Sequence, residues 1–181
     1  MSRKPLINMA WMQALWFAAV LAAAAGRIEV APAVLALFIG WQARPSIRVF
    51  GDFRLIPVAL LLGFVLDSAW IRFGWIRFES PFPLVELAPL WILSLWVGLA
   101  LTLNHSLAWL QSKLWLSGLL GGLGAPLSYT AAERLGALSI TTDSPAWIAG
   151  LSIAWAAAIP LLLWLARELK RKASPMEAPH V

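Results

Sequence analysis

The sequence contains no cysteine, and only 13% of its 181 residues are charged. The absence of cysteine excludes disulfide bonds, thiolate catalysis and cysteine-ligated metal sites, and it leaves the redox compartment undecided. The chain has two histidines, and His180 lies in a polar tail, so a histidine metal site is not indicated either. Glycine-rich phosphate loops and a Ser-His-Asp order are also missing. We therefore expect neither a metal nor a cofactor.

Hydrophobic residues make up 61% of the chain, and the mean hydropathy is +0.77. A soluble domain is usually about half apolar and about a quarter charged. One core cannot bury so much apolar surface, so the composition indicates lipid as the solvent. The net charge of +5 comes from residues scattered at the ends of apolar segments, which favours membrane topology over nucleic-acid binding. Membrane lipids, and a partner membrane protein docking on small residues in "ALWFAAVLAA", are the expected partners.

Six apolar segments predict the fold, because spanning a bilayer takes about 20 apolar residues. The prediction is an all-α, polytopic transmembrane bundle: one transmembrane domain over residues 1–169, followed by a disordered cytoplasmic tail over 170–181. The first segment also fits a cleaved signal peptide, although we favour a retained helix. The second is short and contains Pro32, so it fits either a thin or tilted helix or part of a hairpin with the first segment. The segments cover approximately residues 6–25, 28–43, 55–73, 89–109, 114–133 and 146–166.

The lysines and arginines predict the orientation. With a cytoplasmic N-terminus, ten of them fall on the inner side and four on the outer side. This bias places both termini in the cytoplasm, as expected for a multi-pass membrane protein. The outer four are Arg27, Arg72, Arg77 and Arg134.

Asp67 lies well inside the third apolar segment. A carboxylate in lipid is costly, so it normally faces the protein interior or water and marks a functional site. The alternative is a neutral aspartic acid, or one paired near the outer end with Arg72, Arg77 or Arg134. Gly63 shares the same helix face and would let a neighbouring helix approach closely.

The stretch "LTLNHSLAWL" places Asn104, His105 and Ser106 in the fourth segment. His105 could transfer protons near neutral pH, or it could only form hydrogen bonds between helices. Ser106 can return its hydroxyl to a carbonyl of the preceding turn, so we assign it no role. We expect one continuous helix from about Leu90 to Trp109, with Asn104 and His105 facing the bundle.

The fifth segment places Ser117, Gly121, Ala125, Tyr129 and Glu133 on one face, since they recur every fourth residue. Its glycines, including the pair Gly118 and Gly122, predict close helix packing. Combined with the other polar residues, this face predicts a polar track across the bundle. Asn104 and His105 would lie low in it, Asp67 and Tyr129 higher, and Glu133 near the outer mouth.

The order of "LLGFVLDSAW", "TLNHSL" and "GAPLSY" resembles an uncharacterised family of small bacterial inner-membrane proteins, domain of unknown function 2878. The resemblance covers nearly the whole chain and implies no activity. Members tend to be encoded near lipid-modifying enzymes, an association that favours lipid metabolism. The motif positions that it implies are Asp67, Trp91, Asn104, His105, Ser106, Pro126, Ser128 and Tyr129.

Three functional hypotheses follow, and whether the chain is an enzyme stays open. The first is an enzyme, or enzyme partner, acting on a lipid or apolar substrate in the bilayer, with Asp67, His105 and Tyr129 as catalytic candidates. The second is a small membrane-embedded solute-binding or transport subunit. The third is a structural or assembly protein without chemistry. The substrate-binding candidates are Asn104, Trp91, Ser128 and Glu133.

Overall fold

The computed structural model describes residues 3–173, which form six α-helices and one small sheet. The predicted all-α class with six helices is confirmed. A short 3-10 helix, Ala108–Ser112, precedes the fifth α-helix. The α-helices are α1 Lys4–Ala24, α2 Val30–Gln42, α3 Ile56–Arg72, α4 Leu90–Thr102, α5 Leu114–Arg134 and α6 Ala146–Ala173.

The last helix runs further than the sequence pattern suggested. Residues 170–173 were expected to begin a disordered tail, but they are helical, so that part of the prediction is wrong. The charges Lys170, Arg171 and Lys172 fall in the last turn, where cations stabilise the negative end of the helix. The rest of the predicted tail, 174–181, lies outside the described residues.

Within residues 3–173, two helices are long and apolar enough to cross a membrane, namely α1 and the stretch Ala146–Lys172 of α6. Only 33% and 28% of their most apolar windows are buried, so most of their apolar surface faces outward. The apolar helices α2 and α4 are shorter, with 13 residues each.

Helix α4 lies at the centre and packs against α1, α2 and α3, whereas α5 packs most extensively along α6. The α5–α6 contact depends on glycine. A Cβ atom added at Gly118 would lie 3.0 Å from the Ala156 carbonyl oxygen, and one at Gly122 would lie 3.0 Å from that of Ser152. The backbones therefore approach too closely for larger residues, which confirms the packing predicted for this pair.

Two three-residue strands, β1 Ile76–Phe78 and β2 Leu138–Ile140, pair antiparallel at the end of the bundle where α3 and α5 finish. Each strand follows a helix that ends at a glycine with positive φ, Gly74 at 66° and Gly136 at 81°. Glycine adopts this conformation easily and reverses the chain after a helix. The two matching helix ends bring the strands side by side, a feature that the apolar pattern did not predict.

The predicted continuous helix from Leu90 to Trp109 is wrong, because α4 ends at Thr102. The backbone N–H groups of His105 and Leu107 both return to the Thr102 carbonyl, which forms tight turns. The side chains of this segment bond to other parts of the chain, and these bonds compete with helical hydrogen bonding. Asn104, His105 and Ser106 thus lie in turns at the end of the helix.

Candidate functional site

A cleft with a volume of about 330 Å³ lies among α1, α4, α5 and α6. Its walls are mostly leucine, isoleucine, alanine and glycine, together with five tryptophans. Polar atoms enter the lining mainly through Ser117, Ser128 and Tyr129. On one side of the cleft, the Trp16 indole N–H of α1 donates to the Ser128 hydroxyl of α5 at 3.1 Å. The tryptophans of the lining are Trp16, Trp91, Trp96, Trp109 and Trp155.

Asp67 lies behind one wall of this cleft and is fully buried. The Trp96 indole N–H donates to its Oδ2 atom at 2.7 Å, and the Tyr129 hydroxyl donates to its Oδ1 atom. Asp67 is therefore held by two neutral donors rather than by the outer arginines that we considered. Gly63, one turn earlier, makes room for this arrangement, because a side chain there would overlap the Trp96 ring.

Asp67 is connected to the cleft through Trp96 and Tyr129, the two aromatic side chains that donate hydrogen bonds to it. Trp96 and Tyr129 both contribute to the cleft lining while bonding to Asp67. Trp155 stacks on Trp96, with ring centroids 4.5 Å apart, and also lines the cleft. Its indole N–H is buried and has no hydrogen-bond acceptor among the described residues. The wall thus combines a buried carboxyl group with aromatic rings that face the cavity.

A second buried carboxyl group, Asp52, lies in the connection between α2 and α3. Its Oδ2 atom accepts from the Gln42 amide at 3.0 Å and the Val49 backbone N–H at 2.8 Å, and it lies 2.9 Å from His105 Nε2. Its Oδ1 atom accepts from the Asn104 amide at 2.9 Å. Burial by itself would raise the pKa of Asp52, but the hydrogen bonds from His105, Val49 and Asn104 outweigh it and place the pKa below the usual 3.8.

This hydrogen-bonded group extends to α1 and to the 3-10 helix, and we call the whole set the Asp52 network. The Asn8 amide donates to Gln42 at 3.2 Å and to the Leu101 carbonyl at 3.1 Å. The Ser106 hydroxyl donates to Asn8 at 2.7 Å, so our assignment of no role to Ser106 was wrong. Gln111 donates to Asn104 at 3.0 Å and completes the set. The Asp52 network therefore joins the ends of α1, α2 and α4.

The predicted polar track is not formed. His105 and Asn104 belong to the Asp52 network, whereas Asp67 and Tyr129 belong to the wall of the cleft. The part of the cleft nearest the network is lined by Leu99, Leu107 and Leu110 and is apolar. No hydrogen bond within residues 3–173 joins the two groups, because apolar side chains separate them.

The remaining candidates divide between the cleft and the outer end. Ser128 lines the cleft, and so does Trp91, although the Trp91 indole N–H is bonded to the Glu79 carbonyl at 3.1 Å. Glu133 is not at a mouth of the cleft, since it accepts from the Ile140 N–H at 2.9 Å and ties α5 to β2. Of the three catalytic candidates, only Asp67 and Tyr129 come together.

Sequence reasoning missed several residues of both groups. Asn8 and Gln42 are polar residues in largely apolar helices, a signal that could have been used. Asp52 lies in a polar connection, where nothing in the local sequence indicates burial. Trp96 and Trp155 were missed because tryptophan in an apolar sequence usually indicates the membrane interface.

The chain belongs to a family of proteins of unknown function, DUF2878, whose family model matches residues 5–161. This match confirms the resemblance seen in the sequence. No curated protein and no solved structure matches the chain. Family membership therefore assigns no activity to the cleft.

Proposed function

We propose that this DUF2878 protein is an integral membrane protein that binds an apolar, lipid-type molecule in the cleft. The observation that best supports this proposal is the cleft itself, which has a volume of about 330 Å³ and an almost wholly apolar and aromatic lining. Ligand sites are typically concave, of roughly 300–1,000 Å³, and apolar with a few polar groups. Tyr129 and Ser128 are such groups here, because both reach the lining.

The outer surface of the helices supports a membrane location. Large apolar side chains are exposed on several helices, including Leu61 at 63%, Leu127 at 71% and Ile153 at 72%. Soluble monomers rarely expose large contiguous apolar patches, whereas lipid requires them. The 13-residue helices α2 and α4 are only about 20 Å long, short of the roughly 30 Å hydrocarbon core. The Asp52 network satisfies the backbone beyond α4, since Asn8 and Gln111 bond to the Leu101 and Leu103 carbonyls.

In the proposed orientation, the Asp52 network lies at the cytoplasmic end of a bundle in a bacterial inner membrane. That end carries the loops with Arg44, Arg48 and Arg54 and the C-terminal turn of α6. The opposite end carries β1 and β2 and only four of the 14 lysines and arginines. This distribution agrees with the preference of cytoplasmic loops for positive charge.

A second candidate function is an enzyme, or enzyme partner, that moves a proton to or from the bound molecule. One observation favours it: the Tyr129 hydroxyl belongs to a side chain of the cleft wall and is bonded to the Asp67 carboxyl group behind it. Tyrosine and aspartate are both competent in general acid–base chemistry. His105 has no part in this proposal, because it bonds to Asp52 outside the cleft.

Gly124 offers a direct test of binding in the cleft. It lines the cavity, and a Cβ atom added there would meet nothing within 4 Å, so we expect the longer side chain of Gly124→Leu to occupy part of the cleft. Gly40 on α2 is equally open and lies outside the cleft, so Gly40→Leu is the matched control. Each change replaces a helical glycine with a better helix former, so the effect on helix propensity has the same sign in both variants.

The measurement is mass spectrometry of the lipids that copurify with each variant. We expect one lipid class to be enriched over bulk phospholipid in the wild type and in Gly40→Leu. The enrichment should fall at least tenfold in Gly124→Leu, because its side chain occupies the cavity. Equal enrichment in all three proteins would show that the cleft holds no ligand.

A further inference from the structure

The lining of the cleft contains no lysine, arginine, histidine, aspartate or glutamate among the described residues. A molecule bound in the cleft therefore meets no charged partner in its walls. Moving an ionised group into such a place is very costly, since nothing replaces its hydration. This absence of charge bears on the chemical class of the ligand, given the binding function proposed above.

The hydrogen-bond donors of the lining are mostly used within the protein. The Tyr129 hydroxyl donates to Asp67, and the Ser117 hydroxyl donates to the Leu114 carbonyl at 2.7 Å. The indole N–H groups of Trp16, Trp91 and Trp96 are also bonded. Each of these bonds leaves the lining with one donor fewer for a ligand. An anionic head group needs several donors or a cation, so the walls do not meet its requirements.

The polar positions left in the lining include the Tyr129 oxygen, the Ser128 hydroxyl and the Trp155 indole N–H, which has no acceptor among the described residues, and they suit one small oxygen-containing group. The Tyr129 oxygen keeps lone pairs after donating to Asp67, so it can accept a hydrogen bond. The Ser128 hydroxyl accepts from Trp16 and retains its own O–H as a donor. The buried carboxyl group of Asp67 directly behind Tyr129 gives no attraction to an anion in either protonation state.

The cleft is also long. Its lining on α5 extends from Ser117 to Ala132, a rise of about 22 Å at 1.5 Å per residue. We infer that its ligand is an uncharged long-chain lipid with at most a small oxygen-containing end, such as an alcohol or an ester. Fatty-acid anions and phospholipid head groups are excluded from the cleft. This inference rests on the proposed binding function and narrows it to one lipid class.

Bromine-labelled lipids test the inference, because bromine quenches tryptophan fluorescence on contact and five tryptophans line the cleft. The protein is placed in nanodiscs of a zwitterionic phospholipid and titrated with dibromooctadecanol, methyl dibromooctadecanoate and dibromooctadecanoic acid. At about pH 9 the acid is ionised while its chain is unchanged. We expect saturable quenching by the two neutral probes and at least tenfold weaker binding of the acid, equivalent to about 1.4 kcal/mol.

The variants separate this inference from the proposed function. Gly124→Leu should remove the saturable quenching by the neutral probes, and Gly40→Leu should retain it. Binding of the acid as tight as that of its methyl ester, still sensitive to Gly124→Leu, would overturn the neutral-lipid inference and leave the cleft as a binding site. Quenching by neutral probes that never saturates, or that Gly124→Leu does not change, would overturn the proposed binding function as well.

Discussion

Two aspartates, Asp52 and Asp67, are buried in this protein in contrasting surroundings. Asp52 is surrounded by amide, imidazole and backbone donors from separate parts of the chain, namely Gln42, Val49, Asn104 and His105. Asp67 has two donors, both on aromatic side chains, and those side chains also line a cavity. A carboxyl group with hydrogen-bond donors from several segments, such as Asp52, is suited to holding those segments together. A carboxyl group with only two donors, placed behind the wall of a cavity as Asp67 is, is suited to a ligand site.

The largest expected effect is on stability and concerns Asp52. The change Asp52→Ala removes the acceptor of four donors, of which the Gln42 and Asn104 amides are buried and the Val49 N–H and His105 are partly buried. We expect a loss of about 3–5 kcal/mol in the free energy of unfolding. The change Asp67→Ala leaves only two donors without an acceptor and should lower the free energy of unfolding by about 1–3 kcal/mol. Unfolding in detergent, followed by circular dichroism, measures both.

The control for these variants is Asp143→Ala, since Asp143 is exposed and should be within about 0.5 kcal/mol of wild type. If Asp67→Ala proved as destabilising as Asp52→Ala, the contrast between the two carboxyl groups would break down. Asp67 would then be primarily a structural residue.

A smaller effect should appear in ligand affinity when the Tyr129 hydroxyl is removed. Because that hydroxyl donates to Asp67, it can only accept from a ligand, so it should recognise an alcohol and not an ester. Tyr129→Phe is expected to weaken dibromooctadecanol binding about fivefold, or about 1 kcal/mol, and to leave the methyl ester unchanged. The quenching titration described above measures both affinities.

His105→Gln is the matched control, because it changes the Asp52 network and not the cleft lining. We expect it to change the affinities for the alcohol and for the methyl ester by no more than about twofold. A loss of alcohol binding in His105→Gln comparable to that in Tyr129→Phe would show that the two polar groups act together after all.

The smallest expected effect is a change in melting temperature at acid pH. The pKa of Asp52 in the folded protein lies below the usual 3.8. The ionised carboxylate therefore stabilises the fold at pH values above 3.8, and this stabilisation is lost as the pH falls through the folded pKa. Asp52→Asn cannot ionise, so the melting temperatures of wild type and variant should differ by a few degrees near neutral pH and converge below about pH 3.8. A difference that stays constant down to the lowest pH tested would contradict the stabilising role of the charge.

The contrast between the two aspartates also marks what could be predicted from the sequence. Asp67 interrupts an apolar helix, so its position alone indicated a special environment. Asp52 gave no such indication, because its donors Gln42, Asn104 and His105 lie 10 to 53 positions away along the chain. Tyr129 was correctly placed with Asp67, because both are polar residues at similar heights in apolar segments.

Hydropathy acts over short distances along the chain, so the approximate positions of the six helices could be predicted from the sequence. The fifth apolar segment was placed at 114–133 and forms Leu114–Arg134. The end of α4 at Thr102 could not be predicted in this way, because it depends on Asn8 and Asp52, which bond to the turns from other parts of the chain. The cleft likewise exists only because α1, α4, α5 and α6 meet around it. Empty space between helices is a property of their packing, and no local pattern of residues encodes it.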